Sequence, residues 1–273
     1  MQMKIVTFQG GLGNQLFQYV FYLWLDMRCD KDNIYGYYPK KGLRAHNGLE
    51  IEKVFEVKLP NSSLSTDLIV KSIKLINKIF KNRQYISTDG RLDVNGVLFE
   101  GFWQDKCFWE DVDIVLNFRW PLKLDVTNSF IMTKIQANNS ISIHIRRGDY
   151  LLPKYRNIYG DICNEEYYQK AIEYILKCVD EPFFFVFSDD IDWAKSIINV
   201  PNVTFVNNNK GKDSYIDMFL MSLCHHNIIA NSTFSWWAAQ LNKHSDKIMI
   251  APIRWFKSLF KDPNIFTESW IRI

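Results

Sequence analysis

The spacing of apolar positions along this 273-residue chain changes several times. Residues 3–9 (MKIVTFQ) form a short, mostly apolar run of the kind a buried strand needs. From 14 to 29 the apolar groups Leu16, Phe17, Val20, Phe21, Leu23 and Trp24 recur at helical spacing. Residues 30–65 are irregular and rich in Tyr, Lys, Gly and Asn, and 66–81 turn helical again. A strand ending in aromatics is predicted at 96–103 (GVLFEGFW), then a helix over 105–117, a break at Pro121 and a connecting helix over 126–137.

The second half alternates more regularly. A β-branched strand at 140–145 precedes a helix from the capping residue Asn164 to about Cys178. Glu165 and Glu166 lie in its first turn, where the helix dipole favours carboxylates. Then follow a fully apolar strand (183–187), a helix (190–198), a strand (203–206), a helix (212–224), a strand (227–230), a helix (232–241) and a strand (247–251). Short apolar strands alternating with helices predict parallel sheets covered on both faces. The expected fold class is therefore α/β: two Rossmann-like domains facing each other across a cleft, residues 1–137 and 138–273.

Ligands of such sheets bind beyond the C-terminal ends of the strands. Four polar clusters fall there: Gly10 to Asn14, His144 to Asp149, Ser188 to Asp190, and Asn231 to Ser235. In SIHIRRGDY (142–150) two adjacent arginines follow a buried strand. Guanidinium groups bind phosphates through paired, charge-assisted hydrogen bonds; equally, Arg146 and Arg147 suit structural ion pairs with Asp149 or another carboxylate. His144 shares a face with Arg146 on a period of two, as a ligand donor or a structural histidine. Ser188, Asp189 and Asp190 suit a base or ribose contact, a metal-held diphosphate, or a helix N-cap, with one aspartate capping and the other left for a ligand. Asp111-Val112-Asp113 falls within the expected helix and is not read as a metal motif. Asn231, Ser232 and Thr233 open the helix after the 227–230 strand, where free N–H groups hold an anion or hydroxyls simply cap.

The glycines of GGLGNQ fit neither GxxxxGK[ST] nor GxGxxG, so Gly10, Gly11 and Gly13 signal close backbone approach rather than a phosphate loop. Composition narrows the picture further. Hydrophobic residues at 47% and charged residues at 23% are enough for a packed core. A net charge of +3 with no long basic run argues against nucleic-acid wrapping and against a polybasic membrane tether. The five scattered cysteines contain no CxxC, which points to reduced, buried thiols and away from a cysteine zinc site. The apolar stretch 16–25 is too short to span a bilayer and is interrupted by Gln18. A soluble cytoplasmic protein is expected, at most resting on a membrane face.

Taken together, GGLGNQLFQY, HIRRGDY, FSDD and IANSTFSWWAAQLN resemble the α-1,2-fucosyltransferases of bacteria and animals, relatives of the α-1,6- and protein-O-fucosyltransferases. The resemblance covers most of the chain. It implies a GT-B fold, GDP-L-fucose as donor held mainly by the C-terminal domain, and inverting transfer to the 2-hydroxyl of a terminal β-galactoside with no metal required. By the same resemblance, Arg146 meets the β-phosphate and the bond being broken, with Arg147 beside it. His144 and Asp189 or Asp190, next to Ser188, lie near the guanine. Asn231, Ser232, Thr233, Phe234 and Ser235 meet the diphosphate. Asn14, flanked by Gly11 and Gly13, lies near the donor sugar and acceptor hydroxyl.

One departure stands out. The α-1,6 branch carries a Lys and a Glu soon after its arginine pair, whereas here LLPKYRN follows Asp149-Tyr150. Asp149 is then the candidate base, or only orients an arginine. Trp103, Gln104 and Tyr155 are candidate acceptor contacts, with a core role equally open to Trp103. Bacterial surface-glycan assembly, O-antigen included, is the expected setting. A different linkage or acceptor, and an inactive glycan- or nucleotide-binding protein, are the competing readings.

Overall fold

A computed structural model describes residues 3–29, 33–80, 85–110, 112, 114–119, 123–257 and 261–273. The chain divides into two compact units, Met1–Trp120 and Pro121–Ile273.

The first unit is built on β1 (Lys4–Thr7), α1 (Leu12–Asp26), β2 (Ile34–Tyr37), α2 (Lys40–Arg44), α3 (Ile51–Val54), α4 (Leu64–Phe80), β3 (Ile86–Thr88) and β4 (Leu98–Glu100). Its strands pair in parallel in the order β2-β1-β4-β3. β1 is buried throughout, and α1 buries residues on nearly every side, including the polar Gln15 and Gln18. On one side of the sheet Val70 and Ile73 of α4 pack with Ile5 and Leu98. β2 and β3 are short edge strands that the apolar pattern alone did not resolve. Where a helix is expected over 105–117, the described residues form only a 3-10 turn, Lys106–Phe108, capped by the Asp105 carboxylate. Residues 117–119 pair instead with the chain leaving α3: Glu56 N–H donates to Asn117 O and Arg119 N–H to Val54 O. Asp111, Asp113 and Pro121 lie outside the described residues.

The second unit runs α5 (Val126–Gln136), β5 (Ser140–Ile145), α6 (Pro153–Arg156), α7 (Glu165–Cys178), β6 (Phe183–Ser188), α8 (Ile191–Ile197), β7 (Val203–Val206), α9 (Tyr215–Leu223), β8 (His226–Ile228), α10 (Thr233–Leu241), β9 (Met249–Ala251) and β10 (Trp270–Arg272). All its pairings are parallel, in the order β10-β9-β8-β5-β6-β7. Ile141, Ile143 and Ile145 face Tyr168, Ala171, Ile172 and Ile175 of α7. The alternate residue Ser142 faces the other way, and its hydroxyl accepts from Asn227, whose amide also donates to Met221 O of α9. Asn164 caps α7 as its sequence predicts, accepting from Tyr167 N–H. Helix α5 belongs here rather than with the first half. Its Asn128 exchanges amide hydrogen bonds with Asn209, which also donates to Asp217 of α9. The boundary at 137/138 therefore moves N-terminal of α5.

The five cysteines are free thiols; Cys163 and Cys224 are buried, but Cys107 and Cys178 are exposed. Exposure at those two departs from the reading of buried thiols throughout. No helix among the described residues is long and apolar enough to cross a membrane.

Candidate active site

The strand order of each sheet reverses at one place, and such a switch point leaves a crevice outside the carboxyl ends of the strands. In the second unit the chain leaves β5 toward β6 and β7 on one side, then returns to β8, β9 and β10 on the other. The crevice therefore opens between the ends of β5 and β8. Arg146 to Tyr150 follow β5, and Asn231 to Thr233 lie just past β8.

Both arginines are held there by carboxylates. Arg146 Nη2 lies 2.8 Å from Asp149 Oδ1, and Arg146 Nη1 lies 3.0 Å from Asp189 Oδ2. Asp189 Oδ1 also accepts from the Arg147 backbone N–H at 2.9 Å. Arg147 Nε donates to Asp190 at 2.9 Å, and its guanidinium stacks 3.9 Å from the Trp193 ring centroid. Gly148 makes this closure possible, because a Cβ there would come within 2.8 Å of Asp189 Oδ2. Burial works against the Arg146 charge, but Asp189 and Asp149 outweigh it and hold its pKa above the ordinary arginine value. Asp190 also caps α8, accepting from Trp193 N–H, while Ser188 Oγ accepts from Asp190 N–H to shape the turn. One aspartate caps, as the sequence predicts. The other, Asp189, is engaged with both arginines.

Tyr150 joins the two sides of the crevice, a role the sequence did not signal. Its ring lies under Arg146, 5.7 Å from guanidinium to centroid, and its hydroxyl donates to Asn231 O at 3.1 Å. Burial raises its pKa above the phenol range, so it stays a neutral donor. His144 is buried, and its Nδ1 has no hydrogen-bond partner. Its ring lies 5.9 Å from that of Phe234 at the start of α10. Burial lowers its pKa to about 4, so the imidazole is neutral at physiological pH.

Helix α10 begins at Thr233, and the Ser232 side chain makes no capping hydrogen bond. The first N–H groups of a helix have no intrahelical partner, and the helix dipole makes that end favourable to anions. Thr233 and Phe234 are half-buried at this end. Two neighbours predicted beside them serve the scaffold instead. The Asn231 amide donates to Tyr159 O and Trp255 O and its oxygen accepts from Cys163 Sγ; Ser235 is buried, with its hydroxyl on Ser232 O.

In the first unit the switch point lies between β1 and β4. The GGLGNQ turn leaves β1, the FWQ segment leaves β4, and Gln104 Nε2 donates to Asn14 Oδ1 at 3.2 Å. Gly10 is the glycine the turn requires: its φ is +81°, and a Cβ would sit 2.7 Å from Asn14 Nδ2. Gly11 has ordinary φ and forms the N-cap of α1, with room for a Cβ in contact with His46; Gly13 is buried in the first turn. The two glutamines of the motif are structural. Gln15 donates to Gly10 O and Gly48 O and accepts from Glu50 and Ile51 N–H, while Gln18 donates to Gly101 O and accepts from Gln9 N–H.

Trp103 is not a platform for a sugar. It is 1% exposed, stacked 3.9 Å from Phe21 at 8°, with Phe108 edge-on. Its φ of +56° is unusual for a bulky residue. Asp89 holds it there by accepting from Phe102 and Trp103 N–H at 2.8 and 2.7 Å. Gln104 remains half-buried beside Asn14. Tyr155 is half-buried in the second unit, 6.3 Å from Tyr159 between ring centroids.

The sequence profile of "Glycosyl transferase family 11" matches residues 6–273. The chain belongs to that family. An alpha-1,2-colitosyltransferase of Escherichia coli is 33% identical over 299 aligned residues, covering 100% of this chain and 99% of that protein. The O-antigen biosynthesis glycosyltransferase WbnK of Escherichia coli is 46% identical over 136 residues, 50% of this chain and 45% of that protein. Human galactoside alpha-(1,2)-fucosyltransferase 1 is 29% identical over 139 residues, 49% of this chain and 38% of that protein. Among solved structures, a mutant Arabidopsis thaliana FUT1 in complex with GDP superposes with a TM-score of 0.51 at 11% identity, covering 91% of this chain and 70% of that one. At that identity the likeness speaks for the fold, which is the α/β, GT-B architecture the sequence predicts. This family 11 glycosyltransferase thus carries its arginine pair and its uncapped helix end at one switch point, and Asn14 at the other.

Proposed function

We propose that this glycosyltransferase moves L-fucose from GDP-L-fucose to the 2-hydroxyl of a terminal β-galactoside, inverting the anomeric centre and using no metal. The observation that carries the reading is Arg146, fixed by Asp149 and Asp189 at the crevice onto which the uncapped end of α10 opens. A diphosphate leaving group gains charge as its bond to the sugar breaks. Preorganised donors aimed at that charge lower the barrier more than they stabilise the bound substrate. Arg146 and the N–H groups of α10 are such donors, and His144, neutral, lies beside Phe234 at the start of α10 with a buried, unpartnered ring nitrogen. The three carboxylates at this strand end each grip an arginine, which supports charge neutralisation by protein groups instead of a bridging cation.

Asp149 is engaged with Arg146, so its part in this scheme is to orient that guanidinium. Departure of GDP then leads, and the acceptor proton leaves late. Asn14, with Gln104 beside it, orients the acceptor hydroxyl. The colitosyltransferase relative supports a second reading in which the donor sugar is colitose. A panel of GDP-fucose and a colitosyl donor against β-galactosides, with the linkage read by NMR, decides between them. Failure of both donors with every galactoside overturns the proposal.

The setting we propose is the assembly of a bacterial surface glycan such as O-antigen, at the cytoplasmic face of a membrane. Helix α4 supports it. Leu64, Leu68, Leu75 and Ile79 are 85, 62, 57 and 61% exposed and recur on one stripe, opposite the buried Thr66, Val70 and Ile73. Lys71 and Lys78 border that stripe on one side, with Asp67 beside them, so the occupant that best matches apolar and basic groups together is an anionic bilayer. Cosedimentation with anionic vesicles should fall in Leu68→Glu/Leu75→Glu, while transfer to a soluble acceptor is kept. Equal sedimentation of both proteins, or equal binding to uncharged vesicles, overturns this part.

A further inference from the structure

At the opposite end of the second sheet from the arginines, three side chains with metal-ligating atoms converge. His225 immediately precedes β8, and His244 and Asp246 lie in the loop between α10 and β9. One ligand atom from each lies within 4.8 Å of the other two. His225 Nε2 is 2.8 Å from Asp246 Oδ1, and the His225 and His244 rings stack at 4.2 Å with an interplanar angle of 18°. From this juxtaposition we propose that His225, His244 and Asp246 form a binding site for a zinc-like divalent transition metal, structural in role and separate from the transfer site.

Two imidazoles and one carboxylate are a donor set that suits zinc, with water completing a tetrahedron. They do not suit magnesium or calcium, which take oxygen ligands. Ligand atoms about 2.0–2.2 Å from a tetrahedral zinc lie roughly 3.3–3.6 Å from one another, so the His244 ring must turn out of its stack with His225 and the 2.8 Å His225–Asp246 contact must open slightly. His244 and Asp246 are exposed, which leaves them free to swing.

The backbone beneath them is already fixed. Buried Asn242 donates from one amide to Cys224 O, His225 O and Asn227 Oδ1, and its oxygen accepts from His244 N–H. The His225 N–H is held in turn by Ser140 Oγ. A single asparagine thus sets the spacing of both histidines. His226 stacks on His225 from the other side at 4.6 Å, but its Nδ1 accepts from Ile248 N–H, which leaves it outside the set. A metal on His225, the central ring of this stack, and on His244 binds through neutral imidazole nitrogens. The ion would tie the α10–β9 loop to the start of β8.

Calorimetric titration of the full chain with zinc, after chelator treatment and desalting, tests the assignment. Wild type should bind one zinc and unfold at a higher temperature with it, and cobalt should give the absorption bands of a tetrahedral site. Magnesium should do neither. His244→Ala and Asp246→Asn, both at exposed positions, should weaken binding roughly tenfold or more and lose the thermal shift, with glycosyl transfer unchanged. Undiminished zinc binding in both variants, as the exposed Cys107 and Cys178 thiols would give, overturns the proposal. So does an absence of binding by wild type.

Discussion

Asp189 carries both arginines of the β5 end: one oxygen lies 3.0 Å from Arg146 Nη1 and the other accepts from the Arg147 N–H. The aspartate that the sequence offers as a nucleotide contact also clamps Arg146, the residue proposed to meet the leaving group. Arg146→Ala should lower kcat by about 10²–10³-fold, the usual cost of losing one preorganised donor. Asp189→Asn should lower kcat by a smaller factor with little change in KM for the donor. Steady-state kinetics on folded variants checks both. Near-normal transfer by Arg146→Ala would remove the leaving-group role.

Asn14 and Gln15 are neighbours with opposite fates on substitution. Asn14→Ala should abolish most transfer while leaving GDP binding and the unfolding midpoint near wild type. Gln15→Ala unpairs four buried or half-buried backbone groups. An unsatisfied buried polar group costs about 1–3 kcal/mol, so its loss should appear in denaturant unfolding first.

Trp103→Ala should destabilise the first unit by about 3–5 kcal/mol, the range for deleting a buried large aromatic. Trp103→Phe should keep acceptor KM close to wild type. A large rise in acceptor KM in that milder variant, without lost stability, would return Trp103 to the sugar site.

Asp217 sets a pH dependence. Burial pushes its pKa up to about 7, with Asn209 opposing. The unfolded chain releases that proton near pH 4 (about 3.9), so between about 4 and 7 the native state holds more protons than the unfolded one. Stability from this group therefore falls as pH rises through that window and levels off above it. Asp217→Asn should flatten the dependence and raise the thermal midpoint above neutral pH. An unchanged pH–stability profile would reassign it.

EDTA should leave the rate of transfer unchanged. Activity lost with chelator and restored by manganese would overturn the metal-free reading. His244→Ala separates that outcome from loss of the histidine site.

Much of this protein was fixed by local pattern. The period-two and helical stripes of residues 140–251 placed β5, α7, β6, α8 and β8, because each is buried on a face that its own sequence declares. The strand ends then marked Arg146, His144, Ser232 and Asn14 as candidates before any fold was known. Local pattern failed where distant segments decide. The 105–117 stretch has helical spacing, but its described residues form only a 3-10 turn, and its end at Asn117 pairs with Glu56 just beyond α3. The short edge strands β2, β3 and β10 exist only because a neighbour offers a ladder. Trp103 reads alike as platform or core until Phe21 stacks on it. The Arg146–Asp149 pair is three residues apart and legible in the sequence, but the clamp of Asp189 on Arg146, the hydrogen bonds of Gln15 to Gly48, Glu50 and Ile51, and the meeting of His225 with His244 join segments far apart in the chain. Only the folded chain brings those groups within bonding distance, and no spacing along the sequence encodes it.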